Sequence, residues 1–192
     1  MSSSILWNDH RRLKGQHALF SPSNPSWIRY DTDKVRSYLQ AMEARALGTK
    51  LHDYACQSIE LGRKLPSRPA DTISLYVNDA VKLGMTPEQC LYYSQYCYGH
   101  ADAIKFDRGT IRIHDLKTGS LPGKMDQLMI YDALFCLEYG YDPHSIKHNL
   151  RIYQYDDINE VTPHPDDIAE YMDQIIKVDE IKTGSLEEAL YG

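Results

Sequence analysis

The sequence has no apolar run approaching the roughly 18 residues that a membrane-crossing helix needs, and no short apolar stretch behind a basic start. Neither a membrane span nor a secretory signal is expected, which points to the cytosol. Cysteine is scarce. Cys56, Cys90, Cys97 and Cys136 are scattered, and even the gap between Cys90 and Cys97 fits no common zinc or redox spacing, so all four read as buried thiols. Positive charge is also short: 21 Lys and Arg stand against 27 Asp and Glu, for a net charge of -6. Coating nucleic acid by overall attraction requires clustered cations facing phosphates, so that mode is excluded. Any nucleic-acid contact has to be local and aided by bound cations.

What is present suits one domain, because 192 residues with 42% apolar content can bury a core of ordinary size. Residues 1–31 read as an irregular arm punctuated by Ser, Pro and Asn in HALFSPSNPSW, with Trp7, Leu19, Phe20 and Trp27 available for packing. Asp31 or Thr32 caps a helix through VRSYLQAMEARALG, Gly48 interrupts it, and the pattern resumes from Thr49 to about Leu61. A second helix covers Thr72 to Leu83. From Gln89 the texture turns aromatic and β-branched, giving three strands in LYYSQYCYG, ADAIKF and TIRIHDLK. Gly123 or Lys124 opens a helix with the stripe Ile130, Ala133, Leu134 and Leu137, and Gly140 closes it. NLRIYQYDD reads as a strand and PDDIAEYMDQIIKVDEI as a final helix opened by Pro165. That order implies an α/β fold, a mixed sheet flanked by helices.

If ADAIKF and TIRIHDLK form an antiparallel hairpin with Arg108 and Gly109 at the bend, the register follows by counting. Asp107 lies opposite Thr110, Phe106 opposite Ile111, Ile104 opposite Ile113 and Asp102 opposite Asp115. The last three pairs share one face, with opposed Cβ atoms roughly 4.5 to 5.5 Å apart. Two apolar layers then end in a pair of carboxylates, which destabilise a sheet unless a divalent cation neutralises them. Lys117 falls on the same face roughly 7 Å beyond Asp115, within reach of a water bound to that cation. The Leu116 carbonyl adds another hard oxygen, a donor that suits Mg²⁺ or Mn²⁺. The chain carries a near copy of DLKTGSL, residues 115–121, in EIKTGSL, residues 180–186. Glu180 and Lys182 end a helical, acidic segment without a hairpin partner, so the copy reads as a chance echo.

The blocks GHADAIKF, IHDLKTG and QLMIYDAL, with LGTKLHDYACQSIE upstream, resemble the successive motifs of the PD-(D/E)XK nuclease superfamily. The likeness is to its RecB-like branch, which includes phage recombination exonucleases. The blocks keep the family's order between Gly48 and Leu150. The resemblance implies a restriction-endonuclease-like core, with His52, Asp102 and Asp115 as metal ligands and Lys117 positioning or activating the attacking water. It implies that Gln127 and Tyr131 form the QxxxY element that touches substrate; residues four apart do share a helix face. One or two Mg²⁺ or Mn²⁺ ions are the expected cofactors. Relatives with an iron-sulfur cluster carry three cysteines late in the chain, and none follows Cys136, so no cluster is expected. The implied activity is a metal-dependent deoxyribonuclease, an exonuclease in phage-type recombination or replication acting in the bacterial cytoplasm. DNA is the expected partner, and the branch also admits a recombination or single-strand-binding protein and a homo-oligomer. A structure- or site-specific endonuclease or nickase stays open, as does a non-catalytic DNA-binding module that keeps the fold.

Other residues have ordinary readings. Alone, His52 would be a solvated helix histidine, and only its motif neighbours make it a ligand. His100 shares the parity of Asp102 but reads as a sheet-edge imidazole, whereas His114 has the opposite parity and is excluded. Glu60 reads as an exposed helix acid, and Ser21, Ser23 and Ser26 as turn formers. The tyrosines of LYYSQYCY resemble a base-stacking platform, but alternating aromatics on a strand read as core and rim. Arg45, Lys50, Lys64, Lys105 and Lys124 flank the motifs as cations for DNA.

Overall fold

The computed structural model describes Arg12, residues 18–66 and residues 71–191, the last with side chains to residue 184. Trp7 lies outside the described residues. The chain divides into two compact units, Met1–Ala44 and Arg45–Gly192. Helix α1, Thr32–Glu60, begins in the first and ends in the second.

The first unit is held by aromatic contacts. A short 3-10 helix, Pro25–Arg29, starts at its proline, which lacks the N–H that a first turn leaves unpaired. Phe20 sits edge-on to Trp27 with ring centroids 5.6 Å apart and also contacts Tyr38 at 5.8 Å. The Trp27 indole donates to the Ser21 carbonyl at 2.9 Å, and the Ser21 hydroxyl accepts from the Ser23 N–H at 3.3 Å, so this serine does serve a turn. Asp31 caps α1 by accepting from the Lys34 N–H at 2.7 Å.

The second unit holds the sheet. Helix α2, Thr72–Leu83, is capped by Asp71 and stopped by Gly84. Three strands follow, β1 Thr86–Ser94, β2 Cys97–Asp107 and β3 Thr110–Leu116, then helix α3, Met125–Tyr139, strands β4 Lys147–Gln154 and β5 Asp157–Val161, and helix α4, Pro165–Tyr191. The strands lie in chain order. β3 and β4 pair in parallel, and the other three pairs are antiparallel, so the sheet is mixed and flanked by helices. Among the described residues no helix is long and apolar enough to cross a membrane.

Three boundaries differ from expectation. The helix does not break at Gly48; a Cβ there would meet the Thr118 hydroxyl at 3.0 Å, so the glycine marks a close approach to the segment after β3. LYYSQYCYG is not one strand but the end of β1, a bend at Gln95 and Tyr96, and the start of β2, and the bend itself has neither the Gly nor the Pro that usually signals one. β5 escaped notice because DINEV is polar and lies on the sheet edge, where only its inner partner, β4, constrains it.

The bend between β2 and β3 matches expectation. Arg108 and Gly109 both adopt positive φ, 49° and 69°, the conformation of a two-residue hairpin turn whose twist suits the strands. Helices α3 and α4 cover one face of the sheet, where Ile104, Ile111, Ile113, Leu128, Leu134 and Ile168 form the larger core. On the other face, α2 and the end of α1 enclose Ala55, Tyr76, Val77, Ala103, Leu116 and Tyr153.

Each core contains a polar cluster. His148 is buried and offers Nδ1 to Asp132 at 2.8 Å and Nε2 to the Pro143 carbonyl at 2.9 Å. Burial alone would lower its pKa, but the two acceptors outweigh it and hold the imidazole above its ordinary value. On the other face, His114 meets the Tyr153 hydroxyl at 3.2 Å, and burial, then Arg151, lower its pKa to about 4. Cys136 is fully buried, whereas Cys56, Cys90 and Cys97 are only half-buried, and all four are free thiols.

Candidate active site

The hairpin register is the expected one through Phe106–Ile111, Ile104–Ile113 and Ala103–His114, and there the ladder ends. The expected next rung, Asp102 facing Asp115, is not among the backbone pairs. Instead the Asp102 carboxylate accepts the Leu116 N–H at 2.8 Å, taking the place of a main-chain acceptor on β2. The reason lies in the backbone on both sides of Asp102. Ala101 packs in the α3-side core and Ala103 in the α2-side core, although residues two apart on a regular strand share a face. On β1, Glu88 adopts φ 49° and drops out between the Pro87–Ala103 and Gln89–Ala101 pairs. Both strands leave regular pairing at the same level.

That irregularity brings Asp102 to α1. Its Oδ2 lies 3.5 Å from His52 Nδ1, and ligand atoms of His52, Glu88 and Asp102 all fall within 4.8 Å of one another. A histidine and two carboxylates so placed could hold a divalent cation. Glu88 was missed in the sequence because it precedes the apolar strand pattern, and only its strained backbone marks it out. Burial first, and the nearby Asp115 carboxylate second, push the Asp102 pKa up to about 6 against the pull of the Leu116 N–H, His52 and Lys117. Such crowding of negative charge is what a bound cation relieves.

Asp115 pairs with Lys117. It is 1% exposed, and its Oδ1 accepts from Lys117 Nζ at 3.0 Å. Its Oδ2 lies 2.9 Å from the same ammonium yet has no hydrogen-bond partner, because the alignment is wrong. A buried carboxylate beside a second acid, with one oxygen that no N–H or O–H is aligned on, could also ligate a cation. Lys117 also donates to Gln127 Oε1 at 2.9 Å, and Gln127 Nε2 donates to the Tyr131 hydroxyl at 3.3 Å. The structure therefore links Asp115, Lys117, Gln127 and Tyr131 in one chain of contacts, while Asp102 joins His52 and the Leu116 N–H. Leu116 itself is fully buried among the α2-side residues.

Gln154 holds the segment that follows Lys117. Its Oε1 accepts from the Gly123 N–H at 2.9 Å, and its Nε2 donates to the Gly119 and Leu121 carbonyls, each at 2.8 Å. A buried glutamine at a strand end carried no sequence signal for this role. Gly123 lies against the lysine stem, since a Cβ there would meet Lys117 Cγ at 3.0 Å and Ile152 Cγ2 at 2.9 Å. Hollows open on both sides of Lys117. One of about 430 Å³ is lined by Leu51, Thr72, Thr118 and Tyr155, and one of about 680 Å³ by Tyr98, Leu121, Lys124 and Tyr131. His100 is exposed, as is Glu60 at the end of α1, and neither belongs to the His52, Glu88, Asp102 group.

Compared with protein-family models, curated proteins and solved structures, the chain matches none.

Proposed function

We propose that this chain is a metal-dependent deoxyribonuclease with a restriction-endonuclease-like core of the PD-(D/E)XK kind, acting on DNA ends as an exonuclease. The observation that carries the reading is the buried Asp115 carboxylate, paired through both oxygens with the ammonium of a lysine two residues on that is steered by Gln127. Asp102, Asp115, His52 and Glu88 would hold one or two Mg²⁺ or Mn²⁺ ions. A bound divalent ion supplies positive charge against the scissile phosphate and acidifies water.

The chain's own residues do the rest. An ammonium has three protons. Lys117 gives one to Asp115 and one to Gln127, and the third remains to orient the attacking water or a phosphate oxygen. Gln127 and Tyr131 fix the direction of that third proton by anchoring the ammonium to α3. With a net charge of -6, contact with DNA depends on this local arrangement and on the ions rather than on a basic surface.

The test is hydrolysis of linear, nicked and branched DNA by purified protein with Mg²⁺ or Mn²⁺. Cleavage that disappears in Lys117→Ala supports the reading, and wild-type protein inert on every substrate refutes it, leaving a DNA-binding module. Closed circular DNA cut as readily as linear DNA replaces the exonuclease with an endonuclease or nickase.

A further inference from the structure

We infer that the cleft on the α3 side of Lys117 is a binding subsite for an unpaired nucleobase, so that the substrate strand enters the reaction centre single-stranded. The inference rests on the nuclease reading only for the identity of the bound polymer. Its evidence is the cleft itself, about 680 Å³, within the range of small-molecule sites.

Rings from two elements line it: Tyr96 and Tyr98 from the β1–β2 bend and β2, and Tyr131 from α3. Between them the floor is Gly99. A Cβ at that position would meet Tyr131 Cε1 at 2.8 Å, so the absence of a side chain lets the Tyr131 ring lie directly on the backbone of β2. Tyr98 is 58% exposed and stacks on Tyr92, also exposed, with ring centroids 6.2 Å apart and planes 30° apart, so flat aromatic surface continues outward from the cleft. Leu121, 82% exposed, stands at the same cleft. Tyr92, Tyr98 and Leu121 leave apolar surface in water at this place, beside the half-buried Tyr131 and a Tyr96 ring that carries Lys182 at 5.7 Å, and such a surface awaits a partner.

Charge identifies the partner's chemistry. Lys117 and Lys124 line the same cleft, and Lys124 makes no ion pair among the described residues. The one acid on the wall, Asp126, is engaged by the Tyr171 hydroxyl at 2.5 Å. Aromatic faces with cations beside them match a base and its phosphate. A base inside a duplex has both faces covered and its edge paired, and a terminal pair bares one face but keeps its edge paired, so a cleft with rings from both β2 and α3 fits a base taken out of the helix. The cleft is continuous with Lys117, which places such a base next to the bond to be cut.

The probe is a single-stranded oligonucleotide with 2-aminopurine near one end, titrated with protein in EDTA so that nothing is cleaved. Expected are quenching of the fluorophore by the wild type, loss of quenching with about tenfold weaker binding in Tyr98→Ala, and recovery in Tyr98→Phe. A blunt duplex should compete poorly, and the same duplex with an unpaired end should compete well. Absence of quenching at either end, or equal binding by Tyr98→Ala, overturns the subsite even if the wild type cleaves DNA with Mg²⁺. Quenching without cleavage under any metal supports the subsite and overturns the nuclease.

Discussion

DLKTGSL at 115–121 and EIKTGSL at 180–186 are almost the same letters, yet the first ends a strand and the second lies inside α4. Asp115 is buried at 1% exposure, while Glu180 and Lys182 are exposed. Lys117 is anchored to an acid and to a glutamine on another helix, whereas Lys182 only rests over the Tyr96 ring at 5.7 Å. The difference teaches that an acid and a lysine two apart acquire chemistry only when the backbone places them on one face beside a second element. On a strand, i and i+2 share a face, and on a helix they do not.

The sharpest way to break this comparison is a pair of lysine substitutions. Lys117→Ala should lower the rate of Mg²⁺-dependent cleavage about 10²- to 10⁴-fold, as loss of a positioned proton donor does, while Lys182→Ala leaves it within about twofold. Equal effects at the two lysines would erase the distinction. A second contrast sets the site against the core. Asp132→Ala strands the buried His148 and should destabilise the fold by about 3–5 kcal/mol in denaturant unfolding, without changing metal affinity. A loss of metal affinity there would mean that the two acid clusters are coupled.

Smaller effects refine the picture of the site. Glu88→Gln should weaken Mn²⁺ binding about tenfold by calorimetry, and an unchanged affinity would remove Glu88 from the donor set. Gln154→Leu deprives the Gly123 N–H and two carbonyls of their partner, so it should cost about 1–3 kcal/mol and slow cleavage; an intact rate would show that the segment keeps its shape unaided. The smallest effect is in pH. A histidine whose folded pKa is raised stabilises the fold fully below its ordinary value of about 6.5 and loses that contribution as pH rises through the folded value. Stability should therefore decline as pH rises above the ordinary histidine value more steeply in the wild type than in His148→Gln. A parallel decline in both would show that the buried pair does not titrate in this window.

Local chemistry made much of the fold legible. The Asp31 cap, the Gly140 stop and the Arg108–Gly109 bend each act within a few residues, and the bend together with period two fixed the register as far as Ala103–His114. Counting failed one rung later, at Asp102, because a register rule assumes regular strands and nothing in the letters marks the irregularity shared by Asp102 and Glu88. The polar edge strand β5 and the bend hidden among tyrosines escaped for the same reason: their conformation is imposed by neighbours.

By itself the sequence determined the bend at Arg108 and Gly109 and which residues share a face where the strands are regular, since turn geometry and side-chain period depend on nearest neighbours alone. Only the tertiary structure decided that His52 from α1, Glu88 from β1 and Asp102 from β2 converge, and that Gln127 on α3 takes hold of Lys117. Those meetings depend on which distant faces pack together. Burial of apolar area sets that packing, and such burial carries no direction that a local pattern can record.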